Sequence, residues 1–237
     1  KKFGFVAEDV SLFQEVAETV GLLRRNDNYA IWHRHPLAFL VEAADDISYR
    51  VIDIEDGYRL GYLDLPTVLD LFWGIIGRSP EQARRVDRIG NDKGKVEYLR
   101  AKVINEAISQ AMSCFLDHEQ AILDGCFDEP LLAHLPRREA LERLILVARE
   151  KIYCAAEVVE IQAAGFQVIG ELLERFVQAV DDIAEQGAAA APKNQMLARL
   201  IPGQFKGNGV AVSANRYRRL LHLTDFVAGM PDSYPVS

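Results

Sequence analysis

Cysteine is scarce in this chain. Its 237 residues include three, Cys114, Cys126 and Cys154, an odd number with no CxxC pair. That spacing argues against a zinc knuckle or a disulfide framework, and reduced thiols in a cytosolic protein are expected. Long apolar runs are also lacking: none approaches the ~18–20 residues that a membrane span needs. Positive charge is in deficit, since 27 Lys and Arg face 35 Asp and Glu for a net charge of −8. A generalised nucleic-acid surface is therefore not indicated, whereas a local basic patch, or an anionic substrate held through a metal ion, remains compatible with the charge. Strict apolar–polar alternation is nearly absent, and "GVAVS" (209–213) is the one weak strand candidate.

Several catalytic spacings are lacking too. The five histidines, His33, His35, His118, His134 and His222, form no HxxxH or HExxH pair. "WHRHP" sets His33 and His35 two residues apart, on different faces of any helix, so turn and capping roles are expected of them. "PGQFKGNG" (202–209) has no GK[ST] ending and no strand before it, which makes it a connector rather than a phosphate loop. No serine sits in a nucleophile elbow.

What is present is helical period. With 49% hydrophobic and 26% charged residues, the balance is that of a globular protein with a substantial core. Amphipathic spacing predicts helices over 11–23, with Ser11 as N-cap, over 63–76, with Asp64 or Leu65 at the start, and over 96–123, 138–184 and 216–230. Gly165 and Gly170 are expected to mark breaks or close helix contacts, and 26–36 and 185–195 are expected to be a turn and a loop. Segment 77–95 is read as a short helix followed by an exposed loop. The class expected is all-α.

One helix carries more than a core stripe. "EAADDISYRVIDIEDG" (42–57) belongs to a predicted helix that has Pro36 in its first turn and ends near Gly57. Leu37, Leu40, Val41, Ala44, Ile47, Ser48, Val51 and Ile54 draw its expected buried stripe. Asp45, Tyr49 and Asp53 fall at i, i+4 and i+8, so two carboxylates and a phenol stack on a neighbouring face. Such a face can floor a site, although an ordinary amphipathic helix can show the same pattern. Downstream, Arg78, Arg84, Arg85, Arg88, Lys93, Lys95, Arg100 and Lys102 gather positive charge. A patch like this can hold polyphosphate, or can be a solvated face.

The run "RHPLAFLVEAADDISYRVIDIEDGYRLG" (34–61) resembles the deoxyguanosinetriphosphate triphosphohydrolase family of HD-domain phosphohydrolases, at its distal metal-binding helix. "KKFGF" (1–5), "YLRAKVINEAI" (98–108) and "TDFVAGMPDSY" (224–234) resemble further family segments in the right order, so the likeness spans essentially the whole chain. The last of these departs from the family's DxxxGMTDxYA, with Pro231 in place of threonine and Pro235 in place of alanine.

The resemblance implies an HD-like helical bundle with a C-terminal helical extension, divided as 1–95 and 96–237 within one compact unit. It implies hydrolysis of a deoxynucleoside triphosphate to the deoxynucleoside and inorganic triphosphate, assisted by a divalent metal such as Mg²⁺ or Mn²⁺. By the same resemblance Asp45 is a metal ligand, Tyr49 and Asp53 face the substrate sugar and its 3′-hydroxyl, and Arg100 contacts phosphate. A cytoplasmic homo-oligomer is expected, with a nucleotide or single-stranded DNA as effector. The chain contains no His-Asp dipeptide, so the family's other metal ligands are expected upstream of Lys1. The chain then reads as the C-terminal part of the enzyme, inactive alone. The alternative is a catalytically inactive HD-like module for assembly or nucleotide sensing. An HD hydrolase of cyclic or tetraphosphate nucleotides fits the Asp45–Tyr49–Asp53 spacing less well.

Overall fold

A computed structural model of the chain describes residues 4–206 and 212–230. Among these residues it holds ten α-helices and one two-stranded antiparallel pair, so the class is all-α as expected. Residues 209–211 of the strand candidate, the first residues of "KKFGF", and the motif residues from Pro231 onward, Pro235 included, lie outside the described residues, and the candidate's last two residues, Val212 and Ser213, are not in a strand. The chain forms two compact units, Lys1–Ala155 and Ala156–Ser237.

In the first unit, α1 (Val10–Thr19) follows a short 3₁₀ turn and has Asp9, not Ser11, at its N-cap. Strand β1 (Arg24–Asn26) runs into, and β2 (Ile31–Trp32) lies within, the segment expected to be a plain turn. Trp32 packs its ring on Phe13 at 5.2 Å, a tertiary contact that local pattern does not encode. Helix α2 (Pro36–Arg59) then runs unbroken two residues past Gly57. His35 caps it, its Nδ1 accepting the Leu37 N–H at 3.1 Å, and Pro36 takes a first-turn position where no N–H is needed.

Helix α3 (Leu65–Ile76) is capped by Asp64, whose carboxylate accepts the Thr67 N–H at 3.0 Å. Helix α4 spans Pro80–Asp87. Helix α5 (Asp92–Asp117) begins inside the segment read as a loop, because Asn91 caps it by accepting the Gly94 N–H at 2.7 Å. The chain breaks at His118 before the short α6 (Glu119–Leu123). Helix α7 (Arg138–Val147) ends in a π-helical turn, Ala148–Ile152.

Helices α2 and α3 pack on α5, and α7 closes against α3 and α2. Ile47, Val51 and Ile54 of α2 meet Val68, Leu71, Phe72 and Ile75 of α3, Leu99 and Val103 of α5, and Leu141 and Leu144 of α7 in one core. Each such side chain contributes about 1.5–3 kcal/mol when fully buried. The expected α2 stripe needs correction. Phe39, Ala43, Ile47, Val51 and Ile54 are buried, whereas Leu37 (57%) and Val41 (69%) are exposed, as are Ala44 and Ser48. Helix α2 is apolar on two adjoining faces, and periodicity does not say which one α5 covers.

The second unit is built on α8 (Ala156–Gln186), which passes through Gly165 and Gly170 without a break. A Cβ at either glycine would meet nothing within 4 Å, so neither marks a close contact. Helix α9 (Pro192–Leu200) occupies part of the predicted loop and starts on a first-turn proline. Helix α10 spans Arg216–Ala228. Phe176, Val180, Ile201, Leu223 and Phe226 form the small core. Beside it Arg219 is buried and satisfied, donating to Asp181 Oδ1 through Nε (2.9 Å) and Nη2 (2.6 Å) and to the Ser213 carbonyl (2.7 Å). Among the described residues no single helix is long and apolar enough to cross a membrane.

Candidate active site

Asp45, Tyr49 and Asp53 all lie on α2, so the helix itself sets their spacing at one residue per turn, with Cβ atoms about 5–6 Å apart. The face they share points away from the α5 contact. Asp45 is exposed and, among the described residues, makes no hydrogen bond or ion pair. Tyr49 is 61% exposed. The neighbouring Asp46 instead forms an i, i+4 ion pair with Arg50, at 3.7 Å.

Asp53 is partly buried because a residue 100 positions away covers it. The Tyr153 hydroxyl donates a hydrogen bond to Asp53 Oδ2. Burial, and then the bonds to Asp53 and Tyr49, push the Tyr153 phenol far above its ordinary pKa, so it stays a neutral donor. Tyr153 was not foreseen, since neither its spacing nor its local context ties it to α2. The structure delivers it through the π turn. The Tyr153 N–H reaches back to the Ala148 carbonyl at 2.9 Å, and Ile152 packs over Gly57, one turn beyond Asp53.

Arg100 is not brought to this face. Its Nη1 donates to Glu55 Oε2 at 2.6 Å, and Glu55 is buried. Glu55 sits two residues past Asp53, about 200° further round the helix. The sequence reading missed Glu55 as a partner, because an isolated glutamate at the edge of a stripe carries no signal of burial. The rest of the basic run is largely paired: Arg85 with Glu81, Lys95 with Asp92, and Lys93 with Glu97. Arg78 and Lys102 lie over the rings of Trp73 and Tyr98. These are the marks of a solvated helix face rather than a set of open cations.

Metal-ligating groups are similarly sparse. Among the described residues no three His, Cys, Asp or Glu side chains converge, so Asp45 offers a single carboxylate and cannot hold an ion by itself. His35 is used as a helix cap. His118 Nδ1 donates to the Cys114 carbonyl (2.8 Å), and His134 pairs with Glu129 at 2.7 Å. These last two, with Cys114 and Asp117, line a cavity of about 330 Å³ that includes no residue of α2.

No protein-family model matches the chain. It is, however, 36% identical over 232 residues, 98% of its length, to a deoxyguanosinetriphosphate triphosphohydrolase-like protein of Synechocystis. A protein of the same description from Pseudomonas aeruginosa is 32% identical over 98% of the chain. Over nearly its whole length the chain is therefore similar to proteins described as deoxyguanosinetriphosphate triphosphohydrolase-like.

The chain spans about half the length of the curated relatives it matches, 50% and 52% of those two proteins. A deoxyguanosinetriphosphate triphosphohydrolase of Yersinia enterocolitica is 28% identical over 66% of the chain, or 34% of its own length. The all-α architecture is consistent with the HD-type bundle expected for the family.

Proposed function

We propose that this chain works as part of a metal-dependent hydrolase that splits deoxynucleoside triphosphates into deoxynucleoside and inorganic triphosphate. The observation that carries the reading is the outer face of α2. Asp45, Tyr49 and Asp53 stand there in order, left uncovered by α5, in a chain similar over nearly its whole length to proteins of that name. Asp45 supplies one carboxylate to a divalent ion, Mg²⁺, Mn²⁺ or another transition metal. The remaining ligands belong to the half of the relatives' length that this chain does not span. When bound, the ion would provide Lewis-acid chemistry at phosphate.

The chain's own residues bind and orient. Tyr49 lays an amphipathic ring against the sugar, and Asp53 accepts from the 3′-hydroxyl one turn on. Arg100 enters as the phosphate contact and is the member the geometry favours least, being anchored on Glu55. In this reading residues 1–95 contribute to the catalytic core and 96–237 form the helical extension. A cytoplasmic homo-oligomer, and a nucleotide or single-stranded DNA effector, follow from family resemblance. A second reading, an assembly or nucleotide-sensing module without catalysis, draws on the exposed Leu37, Val41 and Ile52 of α2.

The test is to incubate the longest natural form of the protein with each deoxynucleoside triphosphate and Mg²⁺ or Mn²⁺, and to assay inorganic triphosphate. Release that disappears in Asp45→Ala supports the hydrolase. No release from folded, metal-supplied protein gives the place to the assembly module.

A further inference from the structure

Tyr153 is the residue at the candidate site that the function above does not use. It comes from outside α2, and two features fix its place. The π turn Ala148–Ile152 accommodates one residue more than an α-helical turn, closed by the Tyr153 N–H on the Ala148 carbonyl at 2.9 Å. Gly57 makes room for that turn against α2: a Cβ there would overlap Ile152 Cδ1 and come within 2.9 Å of Cγ1 and 3.2 Å of Leu63 Cδ1. With Ile152 seated on Gly57, the next side chain reaches back one turn to Asp53.

The chemistry of the contact is specific. A carboxylate turns easily about its terminal torsion and offers about four acceptor positions on two oxygens. A phenol bonded to Oδ2 removes that freedom and directs Oδ1 elsewhere. Because the Tyr153 hydroxyl remains neutral, it fixes Asp53 without adding a counter-charge.

We infer that Tyr153 is a positioning residue of the proposed sugar site: its hydroxyl holds Oδ2 of Asp53 so that Oδ1 is presented to the 3′-hydroxyl of the substrate. The inference rests on the reading of Asp53 given above, and it adds a source of discrimination. A nucleotide lacking the 3′-hydroxyl leaves a pre-aimed acceptor unpaired, which costs more than leaving a freely turning one unpaired.

The experiment uses the full-length protein as wild type, Tyr153→Phe, Asp53→Asn and the double variant. Each is assayed with a deoxynucleoside triphosphate and with its 2′,3′-dideoxy counterpart. In Tyr153→Phe, KM for the deoxynucleotide rises about tenfold, the worth of one hydrogen bond. In the same variant kcat changes little, and kcat/KM for the dideoxynucleotide is unchanged. The preference for a 3′-hydroxyl therefore collapses. In the Asp53→Asn background the tyrosine substitution adds nothing further. A folded Tyr153→Phe that keeps the full preference overturns the inference while leaving the hydrolase reading intact. So does one that loses both substrates equally, since that marks a merely structural residue. A wild-type protein that hydrolyses no nucleotide defeats the hydrolase reading first, and this inference with it.

Discussion

Gly57 and Ile152 occupy one space. The Ile152 side chain lies where a Cβ on Gly57 would have to go, although the two residues belong to different helical segments nearly a hundred positions apart. A helix interior normally penalises glycine by about 0.5–1 kcal/mol. Its presence in α2 therefore reflects this packing rather than any turn.

Gly57→Ala is expected to destabilise the protein despite the gain in helix propensity. Overpacking against buried Ile152 costs about 1–3 kcal/mol, of which the propensity gain offsets up to about 1. In an Ile152→Ala background the same substitution becomes neutral or stabilising. Urea denaturation of the four proteins measures the coupling, and additivity within about 0.3–0.5 kcal/mol would show that the two residues do not compete.

Arg100→Ala should lose about 2 kcal/mol of stability. It leaves the Glu55 carboxylate buried without its partner. The figure is set below the ~3–5 kcal/mol of a fully buried pair because the Arg100 side chain is 38% exposed. Combining it with Glu55→Gln recovers part of the loss. If Arg100→Ala melts like wild type, the pair is not what holds Glu55.

Asp45→Ala should leave the melting temperature almost untouched, since the residue is exposed and unpaired; surface changes of this kind usually stay within ±0.5 kcal/mol. Triphosphate release by the full-length protein should fall by about 100-fold or more if Asp45 holds the ion. A parallel loss of stability and activity would make it a structural residue.

Asp64 supplies a pH-dependent contribution. The side-chain and backbone bonds from Thr67 hold its carboxyl below the ordinary aspartate value. The folded pKa is depressed, so the cap stabilises above the unfolded value, near pH 4, and is lost as pH falls through the lower folded value. Asp64→Ala should lower the melting temperature at pH 7, and the gap from wild type should narrow below about pH 4. A gap independent of pH would show that the charge of Asp64 is irrelevant to the cap.

What the sequence made legible follows the range of its signals. The Asp45–Tyr49–Asp53 face and the Pro36 start of α2 depend on spacing within one helix, and both were readable. The same was true of Asp64 at the head of α3. The capping role expected for the "WHRHP" histidines holds for His35, whose neighbour Pro36 is itself a start signal. The buried side of α2 was misjudged because Leu37, Val41 and Ala44 are as periodic as Phe39, Ala43 and Ile47. Only the position of α5 separates them. Glycine at 165 and 170 looked like punctuation but stands on exposed helix with open space around it. Glu55–Arg100 and Asp53–Tyr153 join residues 45 and 100 apart, beyond any local period.

The widened turn at Ala148–Ile152 gives the site an unusual vulnerability. Deleting one of its five residues would rotate everything after it by about 100°. Tyr153 would then leave Asp53 even though its own side chain, its neighbours and the helical content were all kept. The arrangement is stored as a count of peptide units as much as in the identity of any residue. A one-residue slip here should therefore act on the site like a substitution at Tyr153 itself.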